Sequence, residues 1–202
     1  MIDAKTVSEL RAATGAGIVE CKKALEEAAG DLTAAAELLR KKGIVKAASK
    51  SDRQTSEGLV YAYIHGNGKV GAMVEVLCET DFVARTDGFK ELCHELALQI
   101  AAMNPLYVSS ADIPPEVVEK EKEMYAQEFA GSGKPAEMVA KIAEGKLSKW
   151  YGDVCLLNQA CIKDEDKTVE EMLKETIAKT GENIQVKRFT RFAMESGTQV
   201  PG

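Results

Sequence analysis

Apolar positions in the first part of the chain repeat at helical spacing. Ile18, Cys21, Leu25 and Ala28 form one such series, and Leu32, Ala35, Ala36 and Leu39 form another. Ahead of Leu10, Thr6-Val7-Ser8-Glu9 has the capping-box form, so a helix is predicted to start at Thr6. Asp31 is well suited to cap the last of the three segments. Thr14-Gly15-Ala16-Gly17 and Ala29-Gly30 interrupt the pattern. Helices of about ten residues do not persist alone in water, so the three must share one small core. Residues 1–43 therefore predict a compact three-helix bundle.

From Ile44 to Glu57 the periodicity dissolves into a polar, charged stretch that reads as a linker, 44–57. Residues 58–202 then read as a second domain with a different texture. Leu59 to Ile64, the turn His65-Gly66-Asn67-Gly68, and Val70 to Leu77 spell strand, turn and strand. Asp87-Gly88 opens a helix in which Phe89, Leu92, Leu96, Ile100 and Met103 line one face. Further helices are expected over 115–130 and 135–150, a strand over 154–162, a helix over 168–180 and a last strand over 184–194 through Val186, Phe189 and Phe192. The predicted class is α+β, an N-terminal bundle followed by an antiparallel sheet with helices packed on it.

Composition narrows the function. With 202 residues, 45% hydrophobic and 29% charged, the chain has the balance of a globular protein with a real core. It contains no apolar run long enough for a membrane span, and its first residues carry no targeting pattern, so a cytoplasmic location is expected. Five cysteines, Cys21, Cys78, Cys93, Cys155 and Cys161, leave one unpaired and form no C-x-x-C motif, which points to reduced thiols. A net charge of −6 argues against general nucleic-acid binding. The one basic stretch, Arg40, Lys41, Lys42, Lys46, Lys50 and Arg53, reads most simply as a solvated helix end and linker.

Catalytic patterns are nearly absent. Of two histidines, His65 falls in the predicted turn and His94 follows Cys93 directly; neighbours on a helix point about 100° apart and do not form a nucleophile–base pair. Neither zinc-type spacing nor a P-loop is present, and no cofactor or metal site is expected. Two segments instead look like contact surfaces. Ile18-Val19 opens the second helix, where one of the two must be less buried than the other unless both join the bundle core. Thr80-Asp81-Phe82-Val83-Ala84-Arg85 falls between a strand and a helix start, where Phe82 is either tucked over the helix or presented to a partner, and spacing favours the tucked form.

These same segments carry a resemblance. Arg11-Ala12-Ala13-Thr14-Gly15-Ala16-Gly17-Ile18-Val19-Glu20-Cys21-Lys22-Lys23-Ala24-Leu25 resembles the first signature of translation elongation factor Ts, and Thr80-Asp81-Phe82-Val83-Ala84-Arg85 resembles its second. Ser132-Gly133-Lys134-Pro135, Glu144-Gly145-Lys146, and the region from Lys167-Thr168-Val169 to Arg191-Phe192 extend the similarity over nearly the whole chain. It is a short form, lacking the duplicated half-core and helical-hairpin insertion of longer members. Asn158-Gln159-Ala160-Cys161 departs from the many members that have Pro and an aromatic after the Gln.

The resemblance implies a guanine nucleotide exchange factor for elongation factor Tu, acting without a catalytic site of its own. It implies that the bundle is of the ubiquitin-associated type and docks on the GTPase through Arg11, Ile18 and Val19. It places Thr80, Asp81, Phe82 and Val83 at the partner's magnesium site, with Phe82 presented rather than tucked. A short form is also expected to be a homodimer, recovering the missing half-core surface from a second copy. An adaptor that binds another partner through its N-terminal bundle is the competing reading.

Overall fold

In the computed structural model, which describes residues 2–129 and 136–194, Asp3 rather than Thr6 caps the first helix. Its carboxylate accepts from Lys5 N–H at 3.2 Å, and α1 runs Ala4–Thr14. The capping-box pattern misplaced the start by one turn, because Asp3 offers a better side-chain acceptor ahead of it. Gly15, at φ +70°, ends the helix by donating its N–H to Arg11 O at 2.8 Å. Helix α2 spans Ile18–Glu27, and α3, capped by Asp31 as expected, spans Leu32–Ala48. Leu10, Cys21, Ala24, Leu25, Ala35 and Leu39 form the bundle core. The last turn of α3 extends past residue 43 into the expected linker, with Ala47 buried.

Strands β1 (Glu57–Ile64) and β2 (Val70–Cys78) form the expected hairpin, and β5 (Ile184–Ala193) joins β2 to give the sheet order β1-β2-β5. A single helical turn, α4 (Asp81–Ala84), stands where a loop was expected. Helices α5 (Asp87–Met103), α6 (Pro115–Phe129), α7 (Ala136–Val154) and α8 (Val169–Thr180) follow the predicted periodicity. The fold is thus α+β with helices at the N-terminus and an antiparallel sheet. Ser132-Gly133-Lys134-Pro135 lies outside the described residues.

Three details differ from expectation. In the strand foreseen over 154–162, Val154 closes helix α7, Cys155 makes an isolated parallel bridge to Tyr107, and Leu156–Asn158 form a 3₁₀ turn; Ala160–Cys161 (β3) pairs with an unforeseen β4, Asp164–Thr168. Met103, at the end of α5, is exposed although Phe89, Leu92, Leu96 and Ile100 are buried. Along β5, Val186 and Phe189 are half-buried while Phe192 is exposed. A three-residue spacing cannot keep side chains on one face of a strand with a two-residue period, and the burial parity of β5 switches between Val186 and Phe189.

By density of internal packing the chain divides into two compact units. One comprises residues 1–60, 75–93 and 171–185, the other residues 61–74, 94–170 and from 186 on. In the second unit, buried Gln99 and Gln159 organise the irregular segment after α7. Gln99 Nε2 donates to Gln159 Oε1 at 3.2 Å and to Ala160 O at 2.9 Å, and Gln99 Oε1 accepts from Ile162 N–H at 3.0 Å. Gln159 Nε2 donates to Asp153 O at 3.1 Å, and Val169 N–H donates to Gln159 O at 2.9 Å. Cys161, beside the family departure, is buried and adjoins this network. Replacing Gln99 by Leu removes the partner of Oε1 of buried Gln159 and the partners of Ala160 O and Ile162 N–H, whose residues are exposed. Since an unsatisfied buried group costs about 1–3 kcal/mol, Gln99→Leu is expected to lower unfolding free energy by roughly 1–3 kcal/mol in urea titration. A loss below about 0.5 kcal/mol contradicts this account of the network.

Candidate partner-binding site

The segment Thr80–Val83 is shaped by capping and by one buried methyl group. Thr80 has extended backbone angles, φ −129° and ψ 155°, and its hydroxyl oxygen accepts from Val83 N–H at 3.4 Å, which starts α4. Ala84 is buried, and successive helical residues are turned by about 100°, so Phe82, two positions earlier, faces the opposite side. Phe82 is 79% exposed. The tucked placement favoured by spacing does not occur, because a loop was assumed where the chain makes a helical turn. Thr86 ends α4 by donating its hydroxyl to Val83 O at 2.8 Å and accepts from Phe89 N–H at 3.3 Å at the start of α5. Asp81 pairs with Arg85 one turn on, at 2.7 Å, with both side chains well exposed.

Behind this turn lies a set of contacts that the sequence did not disclose. Glu182, just past α8, accepts from the Thr80 hydroxyl at 2.6 Å and from Thr80 N–H at 3.0 Å. The neighbouring residues bond in the opposite sense: Asn183 N–H donates to Glu79 Oε1 at 2.6 Å, holding the Glu79 carboxyl below the usual carboxylate range. The Asn183 side chain, itself buried, donates to Ser51 O at 3.2 Å and Arg53 O at 2.9 Å. Thr180-Gly181-Glu182-Asn183 offered one local hint, a glycine just after a helix; Gly181 has φ +79°.

The N-terminal set flanks a single turn. Arg11 lies exposed in the last turn of α1, and Ile18 and Val19 open α2 behind Gly17, which supplies no side-chain cap. Both are exposed, 59% and 67%, so neither alternative weighed for this pair holds. Ile18 is in register with Cys21 and Leu25, but the buried core begins a turn later, at Cys21. Two apolar side chains at a helix end thus face solvent.

Other candidates resolve into structure. Arg40 pairs with Glu171 at 3.6 Å, Lys41 with Glu37 at 2.8 Å, Lys42 with Glu27 at 2.8 Å and Arg53 with Glu79 at 3.4 Å, so most of the basic stretch is neutralised. His94 Nδ1 shares a 3.2 Å hydrogen bond with the Tyr61 hydroxyl, and His65 is exposed and bonds Tyr63. All five thiols are free and buried; burial pushes Cys93 up to about 12 and Cys155 to about 11, which suppresses the nucleophilic thiolate. Among the described residues no cluster of three or more His, Cys, Asp or Glu side chains could hold a metal ion, and no helix is long and apolar enough to cross a membrane. A cleft of ≈ 880 Å³ lined by residues of α1, α2, α3 and α8 includes none of Thr80–Val83.

Comparison with known proteins gives one answer along the chain. The family model described as elongation factor TS matches residues 4–177. An elongation factor Ts of Thermosipho melanesiensis is 55% identical over 194 residues, covering 96% of this chain and 99% of its own length. That of Thermotoga petrophila is 54% identical, with 95% of each chain covered, and that of Caldanaerobacter subterraneus is 51% identical over 98% of this chain and all of its own. Matched by that model over most of its length, and more than half identical to these relatives from end to end, the chain belongs to the elongation factor Ts family.

Proposed function

We propose that this chain is a guanine nucleotide exchange factor for elongation factor Tu in translation elongation. It binds Tu·GDP, promotes GDP release by disturbing the partner's magnesium site, and stabilises nucleotide-free Tu until GTP binds. Phe82, a large aromatic turned to solvent on a capped helical turn, carries the reading. Leaving such a ring in water has no structural benefit, and interface aromatics that fill a pocket are among the residues that contribute most to binding.

The mechanism needs no reacting group on this chain, which is therefore not an enzyme. If the factor binds nucleotide-free Tu more tightly than Tu·GDP, linkage weakens GDP by the same ratio. Phe82 enters as a rigid wedge, and Asp81 brings a carboxylate toward groups that position the magnesium ion. Loss of that ion's contact removes the largest positive charge beside the phosphates. Asp81 is free to change partners because an exposed i,i+4 pair such as that with Arg85 is worth less than about 1 kcal/mol. Thr80 and Val83 set the direction of the turn. Arg11, Ile18 and Val19 supply the docking contact of the N-terminal bundle. The magnesium belongs to Tu; this chain holds no cofactor and works in the cytoplasm with its partner.

Two organisational features complete the proposal. The bundle (1–43) is a separable domain joined by the segment 44–57 to the core (58–202). The chain is a homodimer, because Ile64, Met73, Phe192 and Met194 of the second unit are all exposed and need cover.

Stimulated GDP release separates wedge from anchor. Phe82→Ala is expected to slow the maximal rate by roughly 10- to 100-fold, since each 1.4 kcal/mol is about a factor of ten, while affinity for nucleotide-free Tu falls less. Arg11→Ala should raise the half-saturating concentration and leave the maximal rate nearly intact. If Phe82→Ala behaves like Arg11→Ala, the wedge mechanism is wrong. Sedimentation at micromolar concentration should give twice the 21.8 kDa chain mass, and a monomer there rules out the dimer. Under limited trypsin the first cut should fall after Lys50 or Arg53, between the end of α3 and the start of β1, once the Asn183 bonds to Ser51 O and Arg53 O open. A first cut within the 58–80 hairpin contradicts the two-domain division.

A further inference from the structure

We infer that Glu182 is a positioning residue for the exchange step, holding the turn that presents Phe82; this rests on the exchange reading above. A helix of four residues, Asp81–Ala84, has too few internal hydrogen bonds to fix its own direction. Its orientation has to come from what grips the residue that caps it. That residue, Thr80, is gripped from outside by one carboxylate: Glu182 Oε1 takes the hydroxyl proton at 2.6 Å and Oε2 takes the backbone N–H at 3.0 Å.

The two oxygens act on different parts of the cap. A threonine hydroxyl has one proton and two lone pairs. Once the proton is committed to Glu182, a lone pair is aimed at Val83 N–H, which lies 3.4 Å away and closes the cap. Charge-assisted bonds of this kind are roughly twice as strong as neutral ones and polarise the hydroxyl toward better acceptance. Bonding the N–H as well fixes the peptide plane before Thr80, and so the exit angle of the chain from β2. Cys78 adds a weaker hold by donating its thiol to Thr80 O at 3.2 Å.

Glu182 is itself held on both sides. Its N–H lies 3.4 Å from the Thr180 hydroxyl, which donates to Thr176 O at 2.9 Å, so the carboxylate is tied to the last turn of α8. On the other side Asn183 is buried and makes three hydrogen bonds, to Glu79, Ser51 and Arg53. The grip is reciprocal: residue 182 accepts from residue 80, and residue 79 accepts from residue 183. Phe82 emerges from an otherwise rigid corner, so the apolar wedge needs no ordering when it meets its pocket. Preorganisation of this kind acts on the step that needs the wedge in place, not on the first docking contact.

The test compares Glu182→Ala and Glu182→Gln, alone and with Thr80→Val, by stimulated GDP release from Tu and by amide hydrogen exchange on the free chain. Gln keeps the length and one acceptor oxygen but places an NH₂ where the second acceptor was. Glu182→Ala is expected to lower the maximal release rate by about tenfold with the half-saturating concentration changed less than about twofold, and Gln to fall between it and wild type. The Thr80→Val/Glu182→Ala double variant should be slower by less than the product of the two single effects, because both singles remove the hydroxyl–carboxylate bond. Thr80→Val also removes the Val83 cap, and Glu182→Ala also frees the Thr80 N–H. In the free chain, Val83 and Ala84 amides should exchange about tenfold faster in Glu182→Ala, with Cys21–Leu25 protection unchanged. A maximal rate within about twofold of wild type, or additive effects with Thr80→Val, overturns the assignment. So does a uniform loss of protection, which marks a merely structural residue. If wild type itself fails to release GDP, the exchange reading falls, and unchanged Val83 and Ala84 protection in Glu182→Ala then also removes Glu182 as the grip on the turn.

Discussion

A strand that runs into a one-turn helix needs something outside itself to decide where that helix points. In this protein the decision is made by two adjacent acid–amide pairs. Glu182 holds Thr80, and Glu79 holds Asn183, so β2 and the end of α8 are stitched together in both directions. Asn183 extends the stitch to Ser51 and Arg53, tying down the stretch that follows α3. Hydrogen bonds to a charged group are roughly twice as strong as neutral ones, so the paired bonds hold this corner in one geometry. The exposed placement of Phe82 follows from that stiffness together with the burial of Ala84.

Stiffness at this corner contrasts with the bareness of the surface it presents. Ile18, Val19 and Phe82 are large apolar groups left in water, each at the first turn of a helix where no neighbouring element covers it. An isolated protein gains nothing from such exposure. A protein that must bind a partner, alter it and leave does gain, because apolar contacts add affinity without the desolvation cost of buried charge. The acidic chain and its neutralised basic stretch fit a protein partner better than a nucleic acid.

The second unit solves a different problem, that of an irregular segment placed in a core. After α7 the backbone forms a 3₁₀ turn, whose Leu156 and Leu157 N–H groups donate to Tyr107 O and Val108 O, and a two-residue strand with an irregular pairing to β4. Gln99 and Gln159 satisfy the backbone groups left over, Ala160 O, Ile162 N–H and Asp153 O, reaching them from α5 and from within the segment itself. Buried amides can bond as donor and acceptor at once, which suits them to a place where the ladder is short and its register shifts.

By itself the sequence determined what local forces control. Helical spacing located α2 and α3, Asp31 capped α3, and Asn67-Gly68 turned the first hairpin, since each depends on residues within a few positions of one another. The two signature segments were equally legible, being continuous runs. Only the tertiary structure decided the rest. It alone shows that Glu182 lies against Thr80, a pairing across 102 positions, and that Ala84 packs inward and turns Phe82 out. It alone replaces the expected strand at 154–162 with a 3₁₀ turn and a short β3, where backbone bonds to Tyr107 and Val108 and the side chain of Gln99, all distant in sequence, supply the partners. A carboxylate or an amide carries no mark in the sequence of which distant backbone group it will satisfy; that is settled only when packing brings the two together.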